Sequence, residues 1–148
     1  MVGVATTVVL VDQLTKSWAV RHLQDHVVHV VWTLRLALTQ NTGSAFSFAT
    51  GSGPLIAIIA LGIVGFLLWT GRSVTTRSGA VALGLIAGGA LGNLADRVFR
   101  GDALLRGGVI DFIDLRWWPV FNVADAAIVV GAILLLVLTW FDSGTQDA

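Results

Sequence analysis

Four long apolar segments restrict the fold of this chain more than any other feature. They cover about residues 2–20, 54–70, 79–97 and 119–141. A helix of about 20 apolar residues crosses a hydrocarbon core of ~30 Å. Backbone in lipid must satisfy its own hydrogen bonds, which helices do. We therefore predict an all-α integral membrane protein with four transmembrane helices, forming one membrane-embedded domain over residues 1–148.

Composition supports a membrane protein and excludes several kinds of chemistry. Charged residues make up only 12% of the chain, against roughly 25% in soluble domains. The formal net charge of +0 argues against a nucleic-acid partner. The chain has no cysteine, which excludes disulfides, thiolate nucleophiles and cysteine-bound metals. It also has no glutamate, so that acid chemistry would fall to its aspartates.

The first apolar segment carries two charges of opposite sign. It lacks a basic start and is interrupted by Asp12 and Lys16, so we interpret it as a retained transmembrane helix and not as a cleaved signal peptide. Residues four apart share a helix face and can pair. The pair either makes two charges tolerable near the interface or anchors a polar site at the end of this helix.

The connection after the first helix predicts a small β element over about residues 27–50. Apolar and polar residues alternate from Trp32 to Thr39, which is typical of a half-buried strand, and Gly43 suits a turn. The spacing of His22, His26 and His29 would allow metal binding. Because the strand pattern starts beside them, we interpret them as surface imidazoles and predict no metal site.

Tryptophans mark the ends of the predicted helices. Tryptophan is enriched at membrane–water interfaces, so tryptophans at the ends of the helices support the assignment of four transmembrane helices. Trp32 falls on the predicted surface strand. The distribution of basic residues does not decide which side of the membrane the termini occupy. The five at helix ends are Trp18, Trp69, Trp117, Trp118 and Trp140.

Polar side chains cluster at the end of the third predicted helix. Asn93, Asp96 and Arg97 lie on one helix face, and ionisable groups beside membrane-length segments indicate function. A structural alternative is an Asp96–Arg97 ion pair, with Asn93 bonding a neighbouring helix. Glycines at four-residue spacing on the same helix predict close helix packing: Gly84, Gly88 and Gly92.

Two aspartates are candidates for catalysis. Asn122 and Asp125 fit a helix-capping box, but Asp111 returns to the same membrane face. Two close carboxyls in a low dielectric share one proton, which is the state that an aspartic protease uses to activate water. We interpret Asp114 as solvent-exposed or structural.

Five sequence blocks together resemble the lipoprotein signal peptidases (signal peptidase II), four-helix membrane aspartic proteases of bacteria. Ser44 stands where alanine is more usual in that family. The blocks are DQLTK at 12–16, NTGSAFSF at 41–48, GGALGNLADRV at 88–98, VIDFID at 109–114 and PVFNVADAAI at 119–128.

The resemblance implies that Asp111 and Asp125 are the catalytic pair. It implies removal of the signal peptide from a prolipoprotein, just before a cysteine that carries diacylglyceryl, without a cofactor. The partners would be prolipoproteins and membrane lipids, with the termini cytoplasmic and the site at the outer face of the inner membrane. The positions that would bind substrate or support the pair are Asp12, Lys16, Asn41, Gly43, Gly92, Asn93, Arg97, Asn122 and Ala124.

Two other functions are compatible with the residues alone. A small proton-coupled transporter would use Asp96, Asp111 and Asp125 as titrating groups within the membrane. An assembly subunit would use the glycines for packing and carry no chemistry. A transporter predicts carboxyls near the bilayer midplane, whereas the sequence places them at one end of the bundle.

Overall fold

The computed structural model describes residues 1–42 and 53–144, which form a helix bundle capped at one end by a small sheet. In chain order the elements are α1 (Val2–His22), β1 (Val28–Val31), β2 (Leu34–Asn41), α2 (Gly53–Thr70), α3 (Arg77–Phe99), β3 (Val109–Asp114) and α4 (Val123–Gly144).

Helix α3 lies at the centre of the bundle and packs against α1, α2 and α4. Small residues allow this close approach. A Cβ on Gly88 would lie 2.8 Å from the Ala5 carbonyl oxygen of α1, and one on Gly89 would clash with the Ala124 carbonyl of α4. The prediction that the glycines of this helix serve packing is confirmed at Gly84 and Gly88, both of which face α1.

The predicted start of the last helix was wrong. Helix α4 begins at Val123 and not at Pro119, because Phe121 still forms a β-bridge with Ile113 of β3. The Phe121 N–H donates to the Ile113 carbonyl at 3.1 Å, and the Phe121 carbonyl accepts from the Ile113 N–H at 2.9 Å. The chain therefore stays extended until Asn122, and the other three helices match their predicted ranges to within two residues at each end.

The sheet is antiparallel in the order β1-β2-β3. Strand β2 confirms that this segment forms a strand, although the burial of its residues does not alternate, and Trp32 is not on a strand. It lies in the turn that joins β1 to β2, with a φ of 51° and a side chain that is 94% exposed. The part of the predicted β element from 43 to 50, which includes Gly43, lies outside the described residues.

Strand β3 lies between the predicted helices 79–97 and 119–141, where the sequence predicted no strand. Five of its six residues are buried, so VIDFID lacks the alternation of apolar and polar residues that identifies a half-buried strand. Phe112 packs in a core cluster with Ala19 and Leu23 at the end of α1. That contact fixes the sheet on the bundle, and the pairing of Asp111 with Thr39 sets the position of Asp111 along it.

Asp114 at the end of β3 is structural and is not solvent-exposed. Its side chain is buried and accepts hydrogen bonds from Arg35 Nε at 2.6 Å and from the Arg116 N–H at 2.6 Å. The Arg116 N–H and the Arg35 guanidinium together lower the pKa of Asp114. The carboxylate ties β2 to β3 and holds the loop that follows.

Two described helices are long and apolar enough to cross a membrane: Arg77–Phe99 and Val123–Phe141. Pro54–Thr70 is a shorter apolar helix. Large apolar side chains are exposed along α2 and α4, among them Phe66 and Leu136, and extended apolar surface of this kind marks contact with lipid or a partner. The expectation of four spans therefore stays a prediction.

Candidate active site

A cavity of about 480 Å³ opens where the sheet meets the helix bundle. One end of it is polar, and the remaining wall is apolar and comes from α2, α3 and α4. The polar lining residues are Asn41, Asn93, Arg97, Asp111 and Asp125, and the apolar ones include Ile56, Ala60, Ile63, Ile86 and Ile128. The structure thus brings both candidate catalytic aspartates to one cavity.

Asp111 reaches the cavity from β3. Its side chain is 3% exposed, and its Oδ1 accepts a hydrogen bond from Asn122 Nδ2 at 2.6 Å. Burial, together with the nearby charge of Asp125, raises the pKa of Asp111 to about 6. At the lower end of the physiological pH range this carboxyl therefore retains its proton in part.

Asp125 reaches the same cavity from the first turn of α4. Its backbone N–H donates to Asn122 Oδ1 at 2.9 Å, and its Oδ2 accepts from the Asn122 N–H at 3.2 Å. These two bonds form the reciprocal capping box that the sequence predicted. Its Oδ1 accepts from Asn93 Nδ2 at 2.7 Å. The same carboxylate therefore caps the helix and lies at the cavity.

Two asparagines connect the aspartates. Asn122 Nδ2 donates to Asn93 Oδ1 at 3.0 Å as well as to Asp111, and Asn93 then donates to Asp125. Asn122 is fully buried. Because these amides come from α3 and from the start of α4, the relative positions of the two carboxyls depend on the packing of both helices.

Asp12 and Lys16 form the predicted pair, and the pair is completely buried. The Lys16 ammonium lies 2.8 Å from Asp12 Oδ2 and 2.8 Å from Asp96 Oδ2, and it donates to Asn93 Oδ1 at 2.9 Å. The predicted alternative of an Asp96–Arg97 ion pair was wrong. Adjacent residues on a helix do not face each other, and Asp96 pairs instead with Lys16 and with Arg100 Nε at 2.7 Å.

Asp12 also reaches the N-terminus of α4. Its Oδ1 accepts from the Ala124 N–H at 3.0 Å, and Gly92 leaves room for the carboxylate, since a Cβ there would lie 2.7 Å from Asp12 Oδ2. The sequence reasoning missed Gln13, whose Nε2 donates to the Gly92 carbonyl at 3.0 Å and to Asp96 Oδ1 at 3.1 Å. Its position within the block DQLTK at 12–16 was the signal for it.

Arg97 lines the cavity with a side chain that is buried yet incompletely paired. The residue is 6% exposed, and its Nη1 has no hydrogen-bond partner among residues 1–42 and 53–144. A buried guanidinium N–H without an acceptor is costly. This atom is therefore a candidate donor to an oxygen of a bound substrate.

The remaining predicted positions divide into two groups. Asn41, the last residue of β2, lines the cavity and hydrogen-bonds Asp111, whereas Gly43 lies outside the described residues. His22, His26 and His29 are exposed, as predicted for surface imidazoles. Among residues 1–42 and 53–144, no group of three histidine or acidic side chains is placed to hold a metal ion.

Comparison with known proteins decides the family. A family model described as "Signal peptidase (SPase) II" matches residues 4–141. The chain belongs to the signal peptidase II family. The resemblance seen in the five sequence blocks is thereby confirmed, and the chain is a peptidase of a bacterial membrane-enzyme family.

Relatives within the signal peptidase II family cover nearly the whole chain. The lipoprotein signal peptidase of Mycobacterium leprae (strain Br4923) is 46% identical over 95% of this chain and 71% of its own length. That of Mycobacterium avium (strain 104) is 47% identical over 95% of this chain and 79% of its own length.

Solved structures share the fold. A bacterial membrane enzyme determined by the in meso method at 2.3 Å resolution superimposes with a TM-score of 0.83 at 29% identity. The match covers 97% of this chain and 88% of that one. A second such structure at 1.9 Å has a TM-score of 0.80, also at 29% identity, and covers 92% of this chain and 89% of that one.

Proposed function

We propose that this signal peptidase II is an aspartic endopeptidase that removes signal peptides from diacylglyceryl-modified bacterial prolipoproteins. Cleavage falls just before the lipidated cysteine. The observation that carries the proposal is the meeting of Asp111 and Asp125 on one cavity, joined by the amides of Asn93 and Asn122. The relatives are named lipoprotein signal peptidases, which supports the substrate class.

The proposed chemistry needs one proton shared by two carboxyls. The charged carboxylate takes a proton from water, whose oxygen attacks the carbonyl carbon of the scissile bond, while the neutral carboxyl gives its proton to the carbonyl oxygen. A gem-diol results. Its collapse breaks the C–N bond, the leaving nitrogen takes the proton that came from water, and a diol hydroxyl returns a proton to the other carboxyl. Water is consumed, and both carboxyls end as they began.

The apolar wall of the cavity suits a substrate that remains partly in the bilayer. Ile56, Ala60 and Ile63 of α2 face the same cavity as the aspartates. A peptide bond reaches the polar end while the acyl chains stay among apolar groups. Withdrawing those chains into water would cost ~0.8 kcal/mol for each CH₂, which disfavours a site far from the membrane.

Other polar residues have supporting roles in this proposal. Arg97 and Asn41 offer hydrogen bonds to the substrate from the cavity wall, and the family resemblance implies that Gly43 binds substrate or supports the aspartates. The residues that hold the aspartates in position are Asp12, Lys16, Gly92, Asn93, Asn122 and Ala124, through the contacts described above.

The proposed placement is one multi-pass domain over residues 1–148 in the bacterial inner membrane. Its four helices span the bilayer, with the termini in the cytoplasm and the aspartates at the extracytoplasmic face. Helix α1 carries two charges within its span, and their complete burial against α3 keeps them away from lipid.

The test uses purified protein in detergent with a diacylglyceryl-modified prolipoprotein peptide. We expect Asp111→Asn and Asp125→Asn each to lower kcat by about 10³-fold or more. Asp102→Asn, the same change at an exposed aspartate, should leave the rate unaltered. Cleavage that survives either dyad substitution would exclude the mechanism, and equal rates on the lipidated peptide and its unlipidated counterpart would exclude recognition of the lipid.

A further inference from the structure

A second cavity, of about 400 Å³, lies beside the start of α4. Its walls are the loop that follows β3 and the first turns of α4. The loop contributes Trp117, Trp118 and Phe121, and the helix contributes Ala126, Val129 and Val130. Asp125 lines this cavity as well as the one that holds Asp111.

Asp125 stands at the boundary between the two cavities because of its place around the helix. Successive helical residues turn by about 100°, so Ile128 lies about 60° to one side of Asp125 and Val129 about 40° to the other. Ile128 lines the first cavity, and Val129 lines the second. The start of α4 therefore divides two cavities that meet at a candidate catalytic carboxylate.

The second cavity continues along the bundle between α1 and α4. A further cavity of about 310 Å³ is lined by Val8 of α1 and Ala127 of α4, among other residues, and it shares Ala126 and Val130 with the second cavity. We call these two cavities together the α4 groove. The groove follows α4 from Val123 to Val130, a rise of about 10 Å.

The loop over the outer end of the groove is held by a hydrogen bond of its own. Arg116 has a φ of 71°, which is uncommon for a residue other than glycine, and its N–H donates to Asp114 Oδ1 at 2.6 Å. The rings of Trp117 and Trp118 meet edge to face, with centroids 6.2 Å apart. Both side chains are more than half exposed, so they form an open aromatic wall beside Asp125.

The proposed substrate has two apolar parts, one on each side of the bond that is cut. The signal peptide precedes that bond, and the diacylglyceryl group is attached to the cysteine that follows it. Both parts belong in the bilayer, whereas the bond itself must reach the aspartates. Two apolar cavities that meet at Asp125 match this arrangement, because each can hold one part of the substrate on its own side of α4.

Hydrogen-bonding groups distinguish the two cavities. A diacylglyceryl group carries ester oxygens, which accept hydrogen bonds, and the first cavity contains the Arg97 guanidinium, which only donates. The inner half of the α4 groove has no comparable donor within the described parts of the chain. Its polar side chain there is Thr7, whose hydroxyl already donates to the Gly3 carbonyl at 2.9 Å.

An apolar helix suits the α4 groove. The backbone groups of a helix bond to each other, so that a helix needs no donor or acceptor from the walls. Small residues allow helices to approach closely, and the groove has Ala126 and Ala127 on α4. The apolar region of a signal peptide has about 7–15 residues, which as a helix is long enough to pack along the whole ~10 Å of the groove.

We propose that the α4 groove binds the apolar helix of the signal peptide and that the first cavity holds the diacylglyceryl group. The peptide chain then crosses the start of α4, which brings the scissile bond to Asp125. This inference rests on the proposed function and adds to it the direction in which the substrate lies.

The first experiment fills the groove. Val130 is exposed, so Val130→Trp should fold normally while its indole occupies the groove. With a diacylglyceryl-modified prolipoprotein peptide in detergent, we expect KM to rise by about tenfold or more, with little change in kcat. Val137→Trp is the matched control. Val137 is also exposed, lies on the same face of α4 two turns further on and lines neither cavity of the groove, so KM should stay at the wild-type value.

Shortened substrates show which part of the substrate the groove holds. A peptide whose apolar signal segment is cut to a few residues has no helix to place there, so Val130→Trp should raise its KM much less. Ile63→Trp, which narrows the first cavity, should raise KM more for the diacyl peptide than for one with short acyl chains. If Val130→Trp leaves every KM unchanged, the groove holds ordinary membrane lipid. If its effect follows acyl length instead, the two cavities are assigned the wrong way round. Both results would overturn the proposal.

Crosslinking locates the substrate without turnover. The probe is a diacylglyceryl peptide in which CH₂–NH replaces the scissile amide. With a photoreactive residue in its apolar segment, we expect labelling at 115–118 and 126–130, and with a photoreactive acyl chain, labelling of α2. Labelling of α2 by the first probe, or crosslinks between two copies of the chain across the groove, would refute the placement. The aspartate substitutions test the proposed function separately, so that the mechanism can stand while this placement fails.

Discussion

Asn122 and Asp125 cap the start of α4 for each other. The Asp125 N–H donates to Asn122 Oδ1 at 2.9 Å, and the Asn122 N–H donates to Asp125 Oδ2 at 3.2 Å. The sequence left open whether these residues cap a helix or take part in catalysis. In the structure the cap itself holds the Asp125 carboxylate at the cavity, and the remaining NH₂ of Asn122 reaches Asp111.

Substitutions at Asn122 should therefore separate stability from activity. Serine can still cap the helix but lacks the amide NH₂ that donates to Asp111, whereas alanine lacks both the cap and the donor. We expect the free energy of unfolding of Asn122→Ala to be about 1 kcal/mol lower than that of Asn122→Ser. We expect kcat to fall by a similar factor of roughly 10² in both variants. Chemical unfolding and cleavage rates measure the two effects. Full activity in the serine variant would show that the amide does not act on Asp111.

The raised pKa of Asp111 predicts how activity depends on pH. Below about pH 6 the Asp111 carboxyl is protonated, and above it this carboxyl loses its proton, which removes the acid needed at the carbonyl. We expect kcat/KM to fall as pH rises through this value, and the profile of the wild-type protein measures it. A profile that stays flat well above pH 6 would contradict a proton held by this site.

The same shift predicts the pH dependence of stability. The folded protein keeps the Asp111 proton up to about pH 6, whereas the unfolded chain releases it near the ordinary value of 3.8. The native state thus binds more protons within that window, and this group makes stability fall as pH rises through it. In Asp111→Asn, which mimics the neutral acid, unfolding should lose that part of its pH dependence. If stability depends on pH with the same slope in the wild type and in Asp111→Asn, the group that titrates is not Asp111.

Gly92 gives a prediction about packing at the site. A Cβ would lie 2.7 Å from Asp12 Oδ2 and 3.3 Å from the Ala124 Cβ, and Asp12 cannot retreat because Lys16 and the Ala124 N–H hold it. We expect Gly92→Ala to cost about 1–3 kcal/mol of stability and to lower activity. Gly65→Ala on α2, where a Cβ meets nothing within 4 Å, is the control. Equal unfolding midpoints for the two variants would contradict the packing argument.

The sequence predicted the elements whose signals are local. Long apolar segments located all four helices, and the Asn-x-x-Asp pattern predicted the cap of α4. Strand β3 was not predicted, because a strand that is buried on both faces does not alternate between apolar and polar residues. The start of α4 was placed too early because the bridge between Phe121 and Ile113 is a tertiary contact.

Within the site, the sequence identified residue types but not all of their partners. Asp12 and Lys16 were predicted as a pair from their spacing, but the partners of Lys16 on another helix, Asp96 and Asn93, were not. Such contacts join residues about 80 positions apart, and spacing along the chain carries no information about them. Asp96 was assigned to Arg97 for the same reason, since only its neighbours in sequence could be considered.

Arg97 leads to a prediction in which stability and binding change in opposite directions. Its side chain is buried, and Nη1 lacks a partner among the described residues, which makes this atom a candidate donor to a substrate oxygen. Methionine, which is apolar and of comparable length, removes that unpaired group. We expect Arg97→Met to be as stable as the wild type or more stable, because an incompletely paired buried charge is lost.

Binding should weaken in the same variant. A hydrogen bond to a charged donor is worth about 1.5–3 kcal/mol, which corresponds to roughly a 10- to 100-fold rise in KM when kcat changes little. Arg106→Met, at an exposed arginine in the following loop, should change neither quantity. Cleavage kinetics and thermal unfolding of the two variants decide the question. Lower stability with unchanged KM would mean that Arg97 holds the fold together and does not meet the substrate.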